Sequence, residues 1–429
     1  MQEGKKTVWT FLVIILSVGS LCIGFITRNQ ADMGSLATNK PVGVGLLATT
    51  DKFSETSESE YFFELAELLR RYYVEPIEVD QKMASGAVRG MITSLVDPES
   101  NFYDKDQFKS FLASQQGKYE GIGIELDYKY NQAELKKLQS GSNEVDSLLL
   151  LPQIFVGSVM PGSPAETAGL KPGDEIRIVN GKYVVSGTDI KALRDLQTAV
   201  TEKRATTAEL NKMREQIEEM VKNVLSAAKA RDHLVNGTEG EIQLTVNREG
   251  KDIRLDIGRT ITNIKPIVQN TGGTTSIRFF KGSARDIQNL KIESGMKIDL
   301  RNSGLGNYDD MERVLSQFVP SGDHGGVLSP DGRVARRLTT TTAPKNIPHI
   351  TLITDNSTIG AAATFAHILA AANVATIEGA LPEERSWLEV QTLPDGSGYT
   401  LAIGKYVADL NESKTAVAAN NTPAKPEAK

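Results

Sequence analysis

The sequence predicts an α+β multidomain protein with an N-terminal membrane helix, a helical segment, a strand-rich module containing an inserted helical hairpin, and an α/β core. Three patterns predict this architecture. An uncharged apolar run lies near the N-terminus, apolar stripes at helical spacing occur within 58–115 and 188–234, and strands alternate with helices from 259 onward. The chain has 429 residues, of which 40% are hydrophobic and 24% charged, so it is long enough for two or three globular domains.

Charge and metal-binding residue types exclude several classes of function. The net charge of −6 provides no basic surface for nucleic acid, so no nucleic-acid partner is predicted. The single cysteine, Cys22, cannot form an intramolecular disulfide. The four histidines are scattered without metal-ligand spacing, and we therefore predict neither a metal site nor a cofactor.

The apolar run from Thr7 to Thr27 follows Lys5 and Lys6 and ends at Arg28. Its length suits one membrane-spanning helix, which needs about 20 residues. The two lysines favour a cytoplasmic N-terminus, so the bulk of the chain is predicted to be periplasmic or otherwise extracytoplasmic, held by a single-pass anchor. The alternative is a cleaved signal peptide, which normally has a shorter apolar core and a small-residue cleavage site.

Composition and periodicity divide the remaining chain into segments. A polar stretch without sustained period reads as a linker, and an Ala/Asn/Lys/Pro-rich C-terminal stretch is predicted to be disordered. The predicted boundaries are an anchor or signal at 1–27, a linker at 28–57, a helical domain at 58–117, a strand-rich module at 118–258, an α/β core at 259–410 and a tail at 411–429.

The inserted hairpin, predicted at about 188–234, carries a narrow apolar stripe of the coiled-coil type. Thr206 and Glu209 have the spacing of a capping box that starts its second helix. The stripe either packs within its own hairpin or recruits another protein. Its residues are Leu210, Met213, Ile217, Met220, Val224 and Ala227.

The strand-rich module resembles a PDZ domain. The resemblance rests on Gly121-Ile122-Gly123-Ile124 and on the run from Pro161 to Ile176, which reads PGSPAETAGLKPGDEI. The first stretch matches the loop that binds a terminal carboxylate in such domains. Small residues there leave successive backbone N–H groups open, and an exposed strand edge accepts an extended peptide. The resemblance therefore implies binding of protein C-terminal tails or unfolded polypeptide.

From about 60 to 406 the chain resembles the C-terminal processing, or tail-specific, serine peptidases. Supporting stretches are Met91–Ser100, Asp299–Asn302, and Asp395–Ser397 followed by Leu401–Tyr406. The resemblance implies a serine–lysine dyad, in which a neutral lysine removes the serine proton and backbone N–H groups hold the oxyanion.

This sequence departs from the family pattern at both members of the dyad. Counting forward from Asp355 places the nucleophile on Gly360, and counting back from the strand Ala375–Gly379 gives the same residue. The loop that normally carries the lysine places it on Arg385, and an arginine side chain cannot act as a general base at ordinary pH. In addition, Ser303–Gly306 replaces the family's Asn-Pro-Gly-Gly run at the oxyanion hole.

The sequence therefore predicts a pseudopeptidase that binds C-terminal tails through its PDZ-like module and acts as a scaffold or regulator. The alternative is an active serine endopeptidase that cleaves near substrate C-termini with a non-standard dyad. Its nucleophile would be Ser357 or Thr358, which lie within one turn of Gly360. In the first interpretation these two hydroxyls cap the helix start.

Overall fold

The computed structural model describes residues 58–72, 80–270, 272–329, 331–344 and 346–410. In that part of the chain no helix is long and apolar enough to cross a membrane. The predicted anchor at 1–27, the linker at 28–57 and the tail at 411–429 lie outside the described residues.

The segment predicted as a helical domain contains helices and one core strand. Asp97 accepts a 2.9 Å hydrogen bond from the Ser100 N–H and closes the turn before β1, which pairs antiparallel with β18. The all-helical prediction is therefore wrong at β1, because a three-residue strand is specified by its distant partner rather than by local period. The elements are α1 (Glu58–Tyr72), α2 (Asp80–Ser94), β1 (Asn101–Tyr103), α3 (Lys105–Ser114) and β2 (Lys118–Tyr119), and β18 is Gly398–Val407.

The strand-rich module forms one antiparallel sheet in the order β3-β4-β5-β7-β8, with β6 paired to β5. Alternate residues such as Ile154 and Val156 are buried in its core, as the period of two requires. The first strand of the module begins at Ile124, and Gly121–Gly123 form the loop before it. The elements are β3 (Ile124–Lys129), α4 (Gln132–Gln139), β4 (Gln153–Val159), α5 (Pro164–Thr167), β5 (Glu175–Val179), β6 (Lys182–Tyr183), β7 (Glu241–Arg248) and β8 (Lys251–Gly258).

The helical insertion contains three helices, α6 (Gly187–Thr201), α7 (Thr207–Lys222) and α8 (Ala227–Val235). The hairpin consists of α6 and α7 alone, so the predicted end near 234 is wrong. The third helix, α8, packs against β3 of the sheet. The predicted capping box is confirmed: Thr206 accepts from the Glu209 N–H, and the Glu209 carboxylate accepts from the Thr206 N–H.

The apolar stripe packs within the hairpin. Leu210 and Ile217 on α7 are buried against Leu193 on α6, and Met213 and Val221 pack at the edge of this cluster. Of the two alternatives, packing within the hairpin is therefore the one observed for Leu210 and Ile217. The alternative surface for a protein partner, formed by Leu210, Met213, Ile217, Met220 and Val224, is wrong at these two buried residues.

The α/β core consists of two sheets around a shared apolar interior. One sheet has the order β10-β11-β12-β15-β16 and is parallel from β11 to β16; the other joins β1, β18, β13 and β14, with β17 paired to β18. Phe279, Phe318 and Phe365 meet in the interior. The alternation of strands and helices predicted from 259 onward is confirmed where a strand is followed by a helix within 297–314 and again within 350–371.

The core elements are β9 (Thr262–Asn263), β10 (Ile267–Gln269), β11 (Thr274–Ile277), α9 (Ala284–Gln288), β12 (Lys297–Asp299), α10 (Tyr308–Val314), β13 (Gly322–Leu328), β14 (Val334–Thr340), β15 (Ile350–Thr354), α11 (Gly360–Ala371), β16 (Ala375–Gly379) and β17 (Ser386–Thr392). Because β12 and β15 are neighbouring parallel strands, the loops after them meet at one edge of the sheet. Such an edge is where open α/β sheets bind ligands.

Candidate functional site

The loop after β12 lies against the start of α11. The Leu305 carbonyl accepts a 2.9 Å hydrogen bond from the Ala361 N–H. Gly360, the first residue of the helix, has φ of +58°, and a Cβ on it would lie 2.0 Å from the Leu305 oxygen. A side chain at position 360 therefore meets both an unfavourable backbone conformation and a backbone atom.

The two alternative nucleophiles are buried and hydrogen-bonded. The Ser357 hydroxyl donates to the Asp355 carboxylate at 2.5 Å and accepts from the Asn302 N–H at 2.9 Å. The Thr358 hydroxyl accepts from the Asp355 N–H at 3.2 Å. Their residues are 0% and 2% exposed, respectively, so neither hydroxyl faces a cleft that a substrate enters. The predicted capping role is wrong, because the N-cap of α11 is Ile359 and no side chain caps the helix. The two hydroxyls instead hold the turn before the helix to Asn302 and Asp355, which leaves neither free for nucleophilic attack.

Arg385, at the position the resemblance assigns to the lysine, forms an ion pair with a carboxylate of the strand-rich module. Its Nη2 lies 3.0 Å from Asp127 Oδ2 on β3. The side chains of the two residues are 18% and 23% exposed, respectively. The guanidinium thus joins the module to the core, and because it keeps its proton it cannot serve as a base.

Glu125, two residues before Asp127 on β3, reaches the same region of the core. Its carboxyl accepts hydrogen bonds from the Leu305 N–H and from the Tyr119 hydroxyl. Burial between the domains raises the pKa of Glu125 from its ordinary value near 4.5 to about 7, although these two bonds and the charge of Arg385 oppose the increase. The Leu305 N–H, in the loop that matches the family's oxyanion segment, therefore already has a partner.

This carboxyl makes a testable contribution to stability. A folded-state pKa above the unfolded value means that the folded protein holds a proton that the unfolded chain releases, so stability falls as pH rises from about 4.5 to about 7. The wild-type protein should therefore lose stability between pH 5 and pH 8, whereas Glu125→Gln should not. Because part of the side chain reaches solvent, we expect the free energy of unfolding of Glu125→Gln, relative to that of wild type, to be roughly 2 kcal/mol higher at pH 8 than at pH 5. Urea denaturation at both pH values measures this.

The control for that experiment is Glu144→Gln, since Glu144 is exposed on the strand-rich module. It should change stability little and equally at both pH values. If the stability difference between Glu125→Gln and wild type were the same at pH 5 and pH 8, the Glu125 carboxyl could not be protonated at pH 5 and ionised at pH 8 in the folded protein.

The predicted carboxylate-binding loop is partly occupied by its own chain. The Gly121 N–H donates to the Gly237 carbonyl at 2.9 Å, and the Ile122 N–H donates to the Leu234 carbonyl at 3.0 Å. Leu234 lies in the last turn of α8, where helix carbonyls lack intrahelical partners, and Gly237 lies two residues after the helix ends. The prediction that successive N–H groups of this loop are open is therefore wrong at Gly121 and Ile122, so a carboxylate would have to be bound by Gly123 and Ile124.

Beside this loop, β3 and α8 form the two walls of a cleft of about 110 Å³ that also contacts the core. Glu125, Asp127, Leu305 and Arg385 line it. The structure thus places Arg385 and the residues after Gly123 around one cleft. Gly360 does not line the cleft but lies against Leu305, which does.

Sequence reasoning missed Glu125, Asp127 and Tyr119. The signal available was the alternation of β3, which places Glu125 and Asp127 on one face while Leu126 and Tyr128 pack toward the module's interior. Two carboxylates on one strand face next to a glycine loop indicate a contact with charged or polar groups, but the sequence does not identify the core residues that they contact. In the described part of the chain, no three His, Cys, Asp or Glu residues are grouped to hold a metal ion.

Comparison with known proteins agrees with this architecture. A model of the PDZ domain matches residues 155–205. The carboxy-terminal processing protease CtpB of Bacillus subtilis (strain 168) is 25% identical over 400 residues, covering 92% of this chain and 73% of CtpB. CtpA of the same organism is 30% identical over 182 residues, which span 42% of this chain but only 31% of CtpA.

A solved structure shares the fold. The photosystem II D1 C-terminal processing protease matches with a TM-score of 0.50 and 18% identity, over 82% of this chain and 89% of that protein. The strand-rich module with its glycine loop is accordingly a PDZ domain, and the sheets after it form a peptidase-like core. Over most of its length the chain is similar to the carboxy-terminal processing proteases.

Proposed function

We propose that this chain is a pseudopeptidase that binds the C-terminal tails of polypeptides through its PDZ domain and does not cleave them. It acts as a scaffold or regulator. The observation that carries the proposal is the Leu305 carbonyl oxygen, which lies only 2.0 Å from the place that the Cβ of a nucleophile at position 360 would take. Covalent catalysis needs an oxygen nucleophile with a base in hydrogen-bond reach, and glycine supplies no such oxygen.

Three further contacts support the absence of cleavage. The Ala361 N–H, next to the nucleophile position, donates to the Leu305 carbonyl. The Leu305 N–H donates to Glu125. Arg385 pairs with Asp127. Two backbone donors at the expected oxyanion site and the residue at the base position are therefore committed to contacts within the chain, and an oxyanion gains nothing from donors already in use.

Tail binding is supported by the cleft between β3 and α8. One edge of β3 pairs with β4, and the cleft lies along its other side. An extended peptide can add to such an edge while its terminal carboxylate reaches the Gly123 and Ile124 donors. CtpB and CtpA are named for processing carboxyl termini; for this chain we propose the binding step alone.

A peptide with a free C-terminal carboxylate is expected to bind the chain at least tenfold more tightly than its amidated twin. The reason is that amidation removes the charge from hydrogen bonds donated by the loop. A single short peptide contact gives at best an affinity near micromolar, or about −8 kcal/mol. Isothermal titration calorimetry with both peptides measures the ratio. Equal affinities would remove the carboxylate loop from the proposal, and no binding of either peptide would remove tail binding.

We also propose that residues 1–27 hold the protein in the membrane with its bulk outside the cytoplasm, on the basis of the uncharged run after Lys5 and Lys6. Carbonate extraction of membranes should leave the protein in the pellet. Recovery of a soluble form that starts between residues 28 and 40 would instead indicate a cleaved signal peptide.

A further inference from the structure

A second, larger cavity of about 510 Å³ continues along the wall formed by β3 and α8, away from the glycine loop. Arg231 and Tyr128 line both this cavity and the smaller cleft, so the two spaces share one wall. The cavity lies between α2, the turn before β1, α8 and the end of α7. Its lining includes the apolar residues Ile92, Val96, Leu148, Leu151, Ile217 and Val221.

Arg231, on α8, brings a buried charge to this cavity. Its side chain is 13% exposed. In the described structure its guanidinium donates one long hydrogen bond, 3.4 Å to Asn101 Oδ1, and it stacks over Tyr103 at 4.9 Å from the ring centroid. A guanidinium carries five N–H donors in a planar fork that suits a carboxylate, so most of its capacity is not used by these contacts.

The acidic residues around the cavity have other donors. Asp232 lies 4.0 Å from the Arg231 Nε but accepts a 2.6 Å bond from the Gln107 amide. Asp97 accepts from the Ser100 N–H, and Asp104 caps α3 by accepting from the Gln107 N–H. Arg89, the other cationic residue of the lining, is exposed and lies over Phe102. Arg231 is therefore the buried group with spare donors for an anion.

We propose that this cavity is an upstream subsite for the bound tail, in which Arg231 pairs with an acidic side chain of the peptide and the apolar lining accepts a large apolar side chain next to it. The inference rests on the proposed tail binding. A carboxylate held at Gly123 and Ile124 lies at the start of β3, so the peptide runs antiparallel to that strand. Its residues then pair with successive β3 residues, and the residue four before the last lies opposite Tyr128.

The ligand class follows from this register. The preferred tail carries Glu or Asp two to four residues before its C-terminus, with an adjacent Leu, Ile or Phe. A charge-assisted bond to a largely buried guanidinium should favour the acidic peptide about tenfold over its glutamine twin.

The test uses the full-length chain and ten-residue peptides with free C-termini. One series places Glu two, three or four residues before the last, next to Leu, and its twins carry Gln there. We expect one of the Glu positions to bind about tenfold more tightly than its Gln twin, and Arg231→Gln to abolish that preference. Lys229→Gln is the matched control, since Lys229 is exposed on the same helix and does not line the cavity; it should keep the preference.

A second variant keeps the test independent of the stability of Arg231→Gln. Ala228 is exposed and lines the cavity, so Ala228→Trp fills space without disturbing the core. This variant should weaken the binding of the ten-residue peptides but leave unchanged the binding of a three-residue peptide, which reaches only the glycine loop. Equal binding of Glu and Gln peptides at all three positions, or a preference that persists in Arg231→Gln, would overturn this subsite while leaving tail binding intact. Absence of any peptide binding would overturn both.

Discussion

Gly360→Ala is expected to lower the free energy of unfolding of the peptidase-like core by about 3 kcal/mol. The left-handed backbone at φ of +58° costs an alanine roughly 1–2 kcal/mol. Its Cβ would also lie 2.0 Å from the Leu305 oxygen, so the 303–306 loop must move, at the cost of overpacking a tight contact. The smaller chain entropy of unfolded alanine offsets less than about 1 kcal/mol of this.

Gly86→Ala provides the matched control. Gly86 lies within α2, is exposed, and would place its Cβ in open space. This change should leave stability equal or raise it by up to about 1 kcal/mol, because glycine is unfavourable inside a helix. Urea denaturation followed by the fluorescence of Trp387, which is buried in the core, measures the first variant, with circular dichroism for the second. A Gly360→Ala protein as stable as wild type would contradict the close contact between the Leu305 carbonyl and the first residue of α11.

The largest expected effect concerns catalysis. The wild-type chain should cleave peptides on the order of 10⁶-fold more slowly than an active relative, since loss of a nucleophile alone has this effect in serine enzymes. Gly360→Ser should not restore cleavage, because its Cβ meets the same Leu305 carbonyl. Gly360→Ser combined with Arg385→Lys supplies both groups of the dyad. It should show weak rescue at best while the Leu305 and Ala361 N–H groups keep their present partners.

The sequence was sufficient for the elements whose signals are local. The strand Ile350–Thr354 followed by α11, and the Thr206 capping box that starts α7, follow from period and cap chemistry. The family motif was sufficient to point to Gly360 and Arg385 as positions of interest. A glycine can be read as the loss of a side chain, and an arginine as a side chain that keeps its proton.

The contacts around Gly360 and Arg385 could not be predicted, because they join residues that are far apart in the sequence. Glu125 reaches Leu305, and Asp127 reaches Arg385, across a domain boundary and a long stretch of chain. No periodicity encodes such pairs, because they depend on how the PDZ domain is placed on the core. The partial closure of the Gly121–Ile122 donors has the same origin, since their acceptors lie at the end of a helix that follows an insertion.

The central claim is that this chain binds tails and does not cleave them. The most direct measurement incubates purified wild-type protein with an unfolded protein and with peptides bearing free C-termini, and analyses the products by intact-mass spectrometry, with CtpB of Bacillus subtilis as the positive control. We predict that the substrates stay intact in the presence of this chain and that a fluorophosphonate probe adds no mass to it. Cleavage that persists through purification and disappears in Ser357→Ala or Thr358→Ala would show that a buried hydroxyl is the nucleophile and that the protein is an active serine endopeptidase.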